Sequence, residues 1–236
     1  MRVTNLEPAD SRAVFKNVSV DMRQYKKLKM FLHEEGLPTN ENSVADDELV
    51  GFLRFGNDFT QNYYQVEIPL KKTNFGTSNP DLIWPEANEI DLDLSLLTLL
   101  KIQAMSIDPS TLQDGVYFQD EEDLNPNAAT KPNKLRLGVK GNPNFGLVRT
   151  LMVGVKNQTN TTQSDAGSRD LGAEVWFNEL RLAELDNKGG MAAVASVDAN
   201  MADFATVSAT GRLSTFGFGS LEQGPNERSR EDIKQY

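Results

Sequence analysis

The sequence contains no cysteine and a single histidine, His33. Disulfide bonds and thiolate metal sites are therefore excluded, and a zinc site or a histidine-dependent catalytic triad would have to depend on that one residue. No Gly-x-Ser-x-Gly motif is present for such a triad to use. His33 alternates with Leu28, Met30 and Leu32, so we expect it on the opposite face, solvent-facing or partly packed, rather than acting as a base or a metal ligand.

Long apolar runs and an excess of positive charge are also lacking. No run approaches the roughly 20 apolar residues that a membrane helix needs, and the opening MRVTNLEPAD has no apolar segment of a signal peptide. The net charge of −10 disfavours nucleic acid and anionic membrane surfaces as partners. We therefore expect a soluble chain, or a piece of a larger protein.

Motifs for metals and cofactors are incomplete. Residues 91–95 (DLDLS) imitate the start of a calcium loop, but Leu96 and Ile102 stand where that loop needs glycine and glutamate. The GFG at 217–219 lacks the third glycine of a nucleotide loop. We expect no cofactor. A structural calcium ion held by scattered carboxylates and carbonyls is compatible with the fold predicted below, but it cannot be read from the residues, so any metal ligands stay unknown.

The sequence does contain period-2 alternation of apolar and polar residues, which is typical of β-strands. One short helix is expected after residue 94, capped by Ser95 with Leu96, Leu99 and Leu100 inward. The stretch 108–133, rich in Asp, Glu, Pro and Asn, is predicted to be an exposed excursion. The predicted strands are residues 13–22, 28–33, 49–55, 62–70, 90–95, 134–140, 147–156 and 174–182.

Many strands with uneven loops predict a mostly β chain. For residues 1–187 we predict an antiparallel β-sandwich of jelly-roll type. Residues 188–236 differ, because small apolar residues replace the large aliphatic ones after the NKGG sequence at 187–190, which looks like a hinge. Ala193, Ala195, Val197 and Ala199 share one parity, while serine, aspartate and asparagine occupy the other.

This alternation of small apolar and polar residues is the weak signature of transmembrane β-barrel strands. We therefore predict barrel-type strands followed by a charged loop for residues 188–236. Asp203 and Phe204 interrupt the pattern and are expected at a turn. An ordinary edge hairpin of a soluble sheet is the alternative, and the pattern alone leaves both open.

Residues for a surface contact are few. Trp176 is expected in the core because Leu180 and Leu182 share its parity, whereas Trp84 lies in a loop before Pro85. The acidic run at 120–123 is predicted to be an exposed loop rather than a cation site. The candidate surface-contact residues are Trp84, Asp120, Glu121, Glu122 and Asp123.

Several long segments resemble the SprA/Sov family. They are NLEPADSRAVFKNVSVDMRQYKKLKMFLHEEG, ELVGFLRFGNDFTQNYYQVEIPL, WPEANEIDLDLSLL, KGNPNFGLVRTLMVGVKN and AEVWFNELRLAELDNKGGMAAVASVDANMADF. They follow in order across nearly the whole chain.

The resemblance implies a fragment of a very large outer-membrane protein of Bacteroidota, the β-barrel translocon of the type IX secretion system, which also supports gliding motility. Its partners would be secreted protein cargo, a shuttle barrel protein and a periplasmic plug. It implies localisation at the outer membrane and cell surface, with the fragment itself soluble and its initial methionine added. It implies no enzymatic activity and no catalytic residues.

Two other functions remain to be weighed. The predicted fold is compatible with a carbohydrate-binding jelly-roll module at the cell surface, which would need exposed aromatic side chains on one face or loop rim. A hydrolase is disfavoured, because the chain has one histidine and no catalytic motif.

Overall fold

The computed structural model describes residues 1–37, 44–159, 169–186, 189–219, 222, 228 and 232–235. Asn160, Asp165, Asn187 and Lys188, which belong to the predicted loops and hinge, lie outside these residues. Contacts divide the chain into two compact units, Met1–Glu184 and Leu185–Tyr236.

The strands of the first unit alternate with short helical segments. The helices are α1 (Pro80–Ile83), α2 (Leu94–Ala104) and α3 (Glu121–Leu124), and single 3-10 turns occur at Glu86–Asn88, Pro109–Thr111, Gln113–Gly115, Pro126–Thr130 and Phe145–Leu147. The strands are β1 (Arg2–Leu6), β2 (Ser11–Val20), β3 (Tyr25–Gly36), β4 (Leu49–Gly56), β5 (Tyr63–Pro69), β6 (Lys72–Thr73), β7 (Glu89–Asp93), β8 (Tyr117–Asp120), β9 (Arg136–Lys140), β10 (Val148–Asn157) and β11 (Leu171–Leu185).

These strands form two sheets. Sheet A has the order β1-β11-β3-β6, with β7 also paired to β3, and sheet B has the order β2-β10-β4-β5-β9-β8. The strand pairs of sheet B are antiparallel, while β3 and β6 form a two-residue parallel pair in sheet A. The prediction of a mostly β, antiparallel sandwich is confirmed.

One apolar cluster fills the space between the two sheets. Leu28 and Met30 of β3 belong to the same buried cluster as Leu53 of β4 and Val66 of β5. Alternate residues of each strand point to opposite faces of a sheet, so the period-2 pattern gives each sheet one apolar face. Burial of each such side chain stabilises the fold by about 1.5–3 kcal/mol.

The sheets approach most closely at Gly51 of β4. A Cβ atom built there would lie 2.5 Å from Cδ2 of Leu32, a fully buried residue of β3. Real Cβ atoms do not come so close to another heavy atom, so this crossing requires a glycine. The contact sets the spacing of the layers at this point.

Helix α2 packs its leucines into the core but begins differently from the prediction. Asp93, the last residue of β7, accepts a hydrogen bond from Ser95 N at 2.9 Å and is the N-cap. The prediction of Ser95 as the cap is therefore wrong. Because the helix begins directly at Leu94, Leu97 is buried where Leu99 had been expected, and Leu99 is exposed.

The expectation for residues 108–133 is also partly wrong. This stretch contains β8, which pairs with β9 at the edge of sheet B, and Glu121, which is buried. Short edge strands such as β8 and the two-residue β6 carry little alternation, so their pairing depends on the neighbouring strand.

The second unit contains a hairpin with a third strand beside it. Strands β12 (Ala192–Asn200), β13 (Thr206–Ser214) and β14 (Ile233–Gln235) form an antiparallel sheet in that order. Residues 201–205 form the turn, which confirms the predicted turn at Asp203 and Phe204. Val197 is 65% exposed, so its side chain is not part of a globular interior.

A buried carboxylate interrupts the core of the first unit. Glu34 continues the inward parity of Leu28, Met30 and Leu32 on β3, its side chain is fully buried, and neither carboxylate oxygen has a hydrogen-bond partner. Burial, and then the nearby charge of Asp46, raise the pKa of Glu34 well above its usual value. A proton on this group is therefore favoured by folding.

We expect Glu34→Met to stabilise the chain by about 1–3 kcal/mol at pH 8, because it removes a buried polar group without partners. The folded pKa of Glu34 lies above the unfolded value of 4.5. Its contribution to stability is therefore fully present below that pH and is lost as the pH rises through the folded pKa. The gain from the variant should shrink toward pH 4. Urea unfolding at several pH values, with Glu35→Met as control, measures this. A destabilised Glu34→Met chain at pH 8 would contradict the account.

Candidate functional site

The largest cavity of the first unit opens where β5 and β9 separate. Their pairing ends at Glu67 opposite Arg136. β5 continues to Pro69, which pairs with Val50 on its other side. The chain before Arg136 turns instead toward α3, where Leu135 O accepts a hydrogen bond from Glu121 N at 2.8 Å. The divergence leaves a cavity of about 660 Å³.

The cavity combines an apolar floor with charged walls. Val50, Ala128 and Leu135 line it and are almost fully buried. The carboxylates that line it are those of Glu67, Asp120, Glu121 and Glu122, and the cationic side chains are those of Lys134, Arg136 and Lys156. Three of the five predicted surface-contact residues thus meet at one cavity. Asp123 and Trp84 do not line it.

Glu121 departs from the prediction of an exposed acidic loop, which is wrong for this residue. Its side chain is 3% exposed, and its Oε1 accepts a hydrogen bond from Lys131 Nζ at 2.6 Å. Lys131 also donates to Asp91 O at 3.2 Å. The carboxylate turns inward because a buried ammonium stem reaches it, whereas Asp120, Glu122 and Asp123 remain exposed.

The other charges of the cavity are more loosely paired. Glu122 lies 3.3 Å from Lys134 Nζ, and Glu67 lies 3.8 Å from Arg136 Nη1. Glu67 also accepts a hydrogen bond from Gln65 Nε2 at 2.6 Å. In the part of the chain that the structure describes, Asp120 takes part in no ion pair, and the same holds for Lys156.

Aromatic rings on the outer face of sheet B are covered by guanidinium groups. Arg54 lies over Tyr63, 4.1 Å from the ring centroid, and Arg136 lies over Phe118 at 4.4 Å. These contacts occupy the ring faces that a sugar would need for stacking.

The two tryptophans meet at the only histidine. The ring of His33 lies 5.6 Å from that of Trp84 and 4.9 Å from that of Trp176, and its Nδ1 is 2.7 Å from Ile83 O. Of the two predicted environments for His33, the packed one is observed. Trp84 is half-buried here, and a role in surface contact stays a prediction.

Trp176 is 42% exposed, so its assignment to the core is wrong. In β11 the buried residues Ala173 and Val175 have odd numbers, which turns Trp176 outward. Glu179 adopts a φ of 51°, and beyond it Leu180 packs against the core instead. A bulge of this kind reverses which parity faces inward, and the sequence gave no sign of it.

Metal and membrane-helix features are limited to what the described residues contain. Among them, no three histidine, aspartate or glutamate side chains are arranged to hold a metal ion. Within the same residues, no helix has the length and apolar content required to cross a bilayer.

We expect Lys131→Ala to destabilise the chain by about 2–3 kcal/mol, because it leaves the buried carboxylate of Glu121 without its cation. The matched control is Lys134→Ala, which removes an exposed pair with Glu122 and should cost less than about 1 kcal/mol. Both lysines also donate to a backbone carbonyl. Urea unfolding of the two variants measures the difference, and equal costs would contradict the assignment.

Comparison with known proteins identifies the chain as a whole. No curated protein matches it. A family model named SprA_N, described as motility related/secretion protein, matches residues 1–236. The expected resemblance is thereby confirmed, and the chain belongs to the SprA_N family of motility-related and secretion proteins.

Proposed function

We propose that the chain is a non-enzymatic segment of a giant outer-membrane β-barrel translocon, which exports folded proteins by type IX secretion and supports gliding motility. Membership of a motility- and secretion-related family supports the general role. The hairpin of β12 and β13 is the observation that carries the specific one.

The two faces of this hairpin differ completely in chemistry. Register pairs Val197 with Ala209 and Ala199 with Val207 on one face. The members of that apolar face are Ala193, Ala195, Val197, Ala199, Val207, Ala209, Gly211 and Leu213.

The opposite face pairs polar residues. Ser196 lies opposite Thr210, and Asp198 lies opposite Ser208, which donates a hydrogen bond to it. Most residues of both strands are exposed. A soluble hairpin covers its apolar face, whereas a barrel strand presents that face to lipid and its polar face to the lumen.

Length and edge support the same function. Each strand has nine residues, and a tilted strand needs about 9–11 residues to cross a bilayer. Among the described residues, β12 pairs only with β13, so its other edge is available to a further strand. An unpaired edge is costly in lipid, which favours closure with neighbouring strands.

The sandwich then forms an insert between barrel strands, at the outer membrane or cell surface. Secreted cargo, a shuttle barrel protein and a periplasmic plug are its proposed partners. The exposed acids among residues 120–123 would line or cap the export path; Asp165, the other residue considered for this role, lies outside the described residues. No catalytic residue is assigned, since His33 is packed between two tryptophans.

In the full-length protein, we expect Val197→Lys to reduce the amount of assembled protein and of exported cargo at the cell surface. A lysine on a lipid-facing position near the bilayer midplane costs about 2–4 kcal/mol. The control, Ser196→Lys, places the same charge on the neighbouring polar face and should leave assembly intact. Cell-surface labelling of cargo and the level of folded protein in outer-membrane fractions measure both effects. Equal losses in the two variants would contradict the proposal.

A further inference from the structure

The cavity beside α3 contains more hydrogen-bond acceptors than donors to fill them. Glu121 Oε2 has no hydrogen-bond partner. Glu67 approaches Arg136 only at 3.8 Å, which is longer than a hydrogen bond. Asp120, exposed at the end of β8, takes part in no ion pair among the described residues. A group that donates several hydrogen bonds and carries positive charge would complete this set.

The floor of the cavity suits an aliphatic stem. Val50, Ala128 and Leu135 present apolar surface below the carboxylates. Lysine and arginine place their methylene groups on such surface while their charged ends reach polar partners. The volume of about 660 Å³ also leaves space for the residues that flank such a side chain in a peptide.

The charges give the cavity a direction. Asp120 belongs to β8 and Lys156 to β10, which are separated by β4, β5 and β9 in sheet B. Four strand spacings correspond to about 19 Å. A cation is therefore attracted at the β8 end and repelled at the β10 end, where Lys156 would favour an acidic residue of the same partner.

Other ligand classes fit less well. No aromatic side chain lines the cavity, so it offers no stacking surface for a sugar ring. Four carboxylates outnumber three cationic groups, and the chain carries a net charge of −10, which opposes an anionic ligand.

We propose that this cavity is a docking site for a lysine or arginine side chain of a polypeptide partner. The charged end binds between Asp120 and Glu67, and the aliphatic stem lies on Val50 and Leu135. This proposal does not depend on the barrel strands, so its failure leaves the translocon proposal untouched.

The test is an NMR titration of the full 236-residue chain with a blocked hexapeptide that carries one central lysine. We expect weak saturable binding, with a Kd of about 0.1–1 mM, and amide shifts at residues around the cavity. Asp120→Asn should weaken binding about five- to tenfold, because it removes one charge-assisted hydrogen bond. Asp120 makes no side-chain cap to α3, so this variant should fold normally, which its unfolding midpoint checks.

Asp123→Asn is the matched control, since Asp123 is the exposed acid of the same run that does not line the cavity. It should bind the peptide as the parent chain does, and a peptide with norleucine in place of lysine should not bind. Equal weakening by both variants would show general attraction to an acidic protein and overturn the proposal. Absence of shifts at ~10 mM peptide would overturn it too, as would equal affinity for cadaverine, which would assign the cavity to small amines.

Discussion

The apolar layer between sheets A and B is the constraint on which the rest of the first unit depends. Leu32 of one sheet meets Gly51 of the other, and this contact leaves no freedom in how the layers are spaced. Register in a half-buried sheet cannot slip by one residue without moving every apolar side chain to the wrong face. The inner faces therefore also determine which residues stand on the outer faces, including those of the cavity and of the tryptophan cluster.

The cavity follows from that register rather than from a motif. Since Glu67 and Arg136 are the last pair between β5 and β9, the chain beyond them separates and leaves space that α3 borders. Buried Glu121 is held by Lys131, while Asp120 at the end of β8 stays open to solvent. One acidic run thus supplies both a structural ion pair and a charge available for a partner.

Alternation predicted most of the long strands and the hairpin, because period 2 is a local property of the chain. It failed where tertiary structure changes the period. The left-handed residue Glu179 reverses the faces of β11 and brings Trp176 to the surface, and β8 exists only because β9 pairs with it. Asp120 and Glu122 could be named as charges from the sequence, but Lys156 and Glu67 join them only through sheet topology. No local pattern contains that information.

The two units place their apolar residues differently. In the first, large aliphatic side chains are enclosed between sheets; in the second, small ones line one face of an exposed hairpin. The account holds that this face contacts lipid in the complete protein. Because the chain has no cysteine, single cysteines at positions 193–200 of the full-length protein can carry a fluorophore and be quenched by brominated lipid. The account predicts quenching at 193, 195, 197 and 199 and little at the positions between them, whereas uniform quenching, or none, would contradict it.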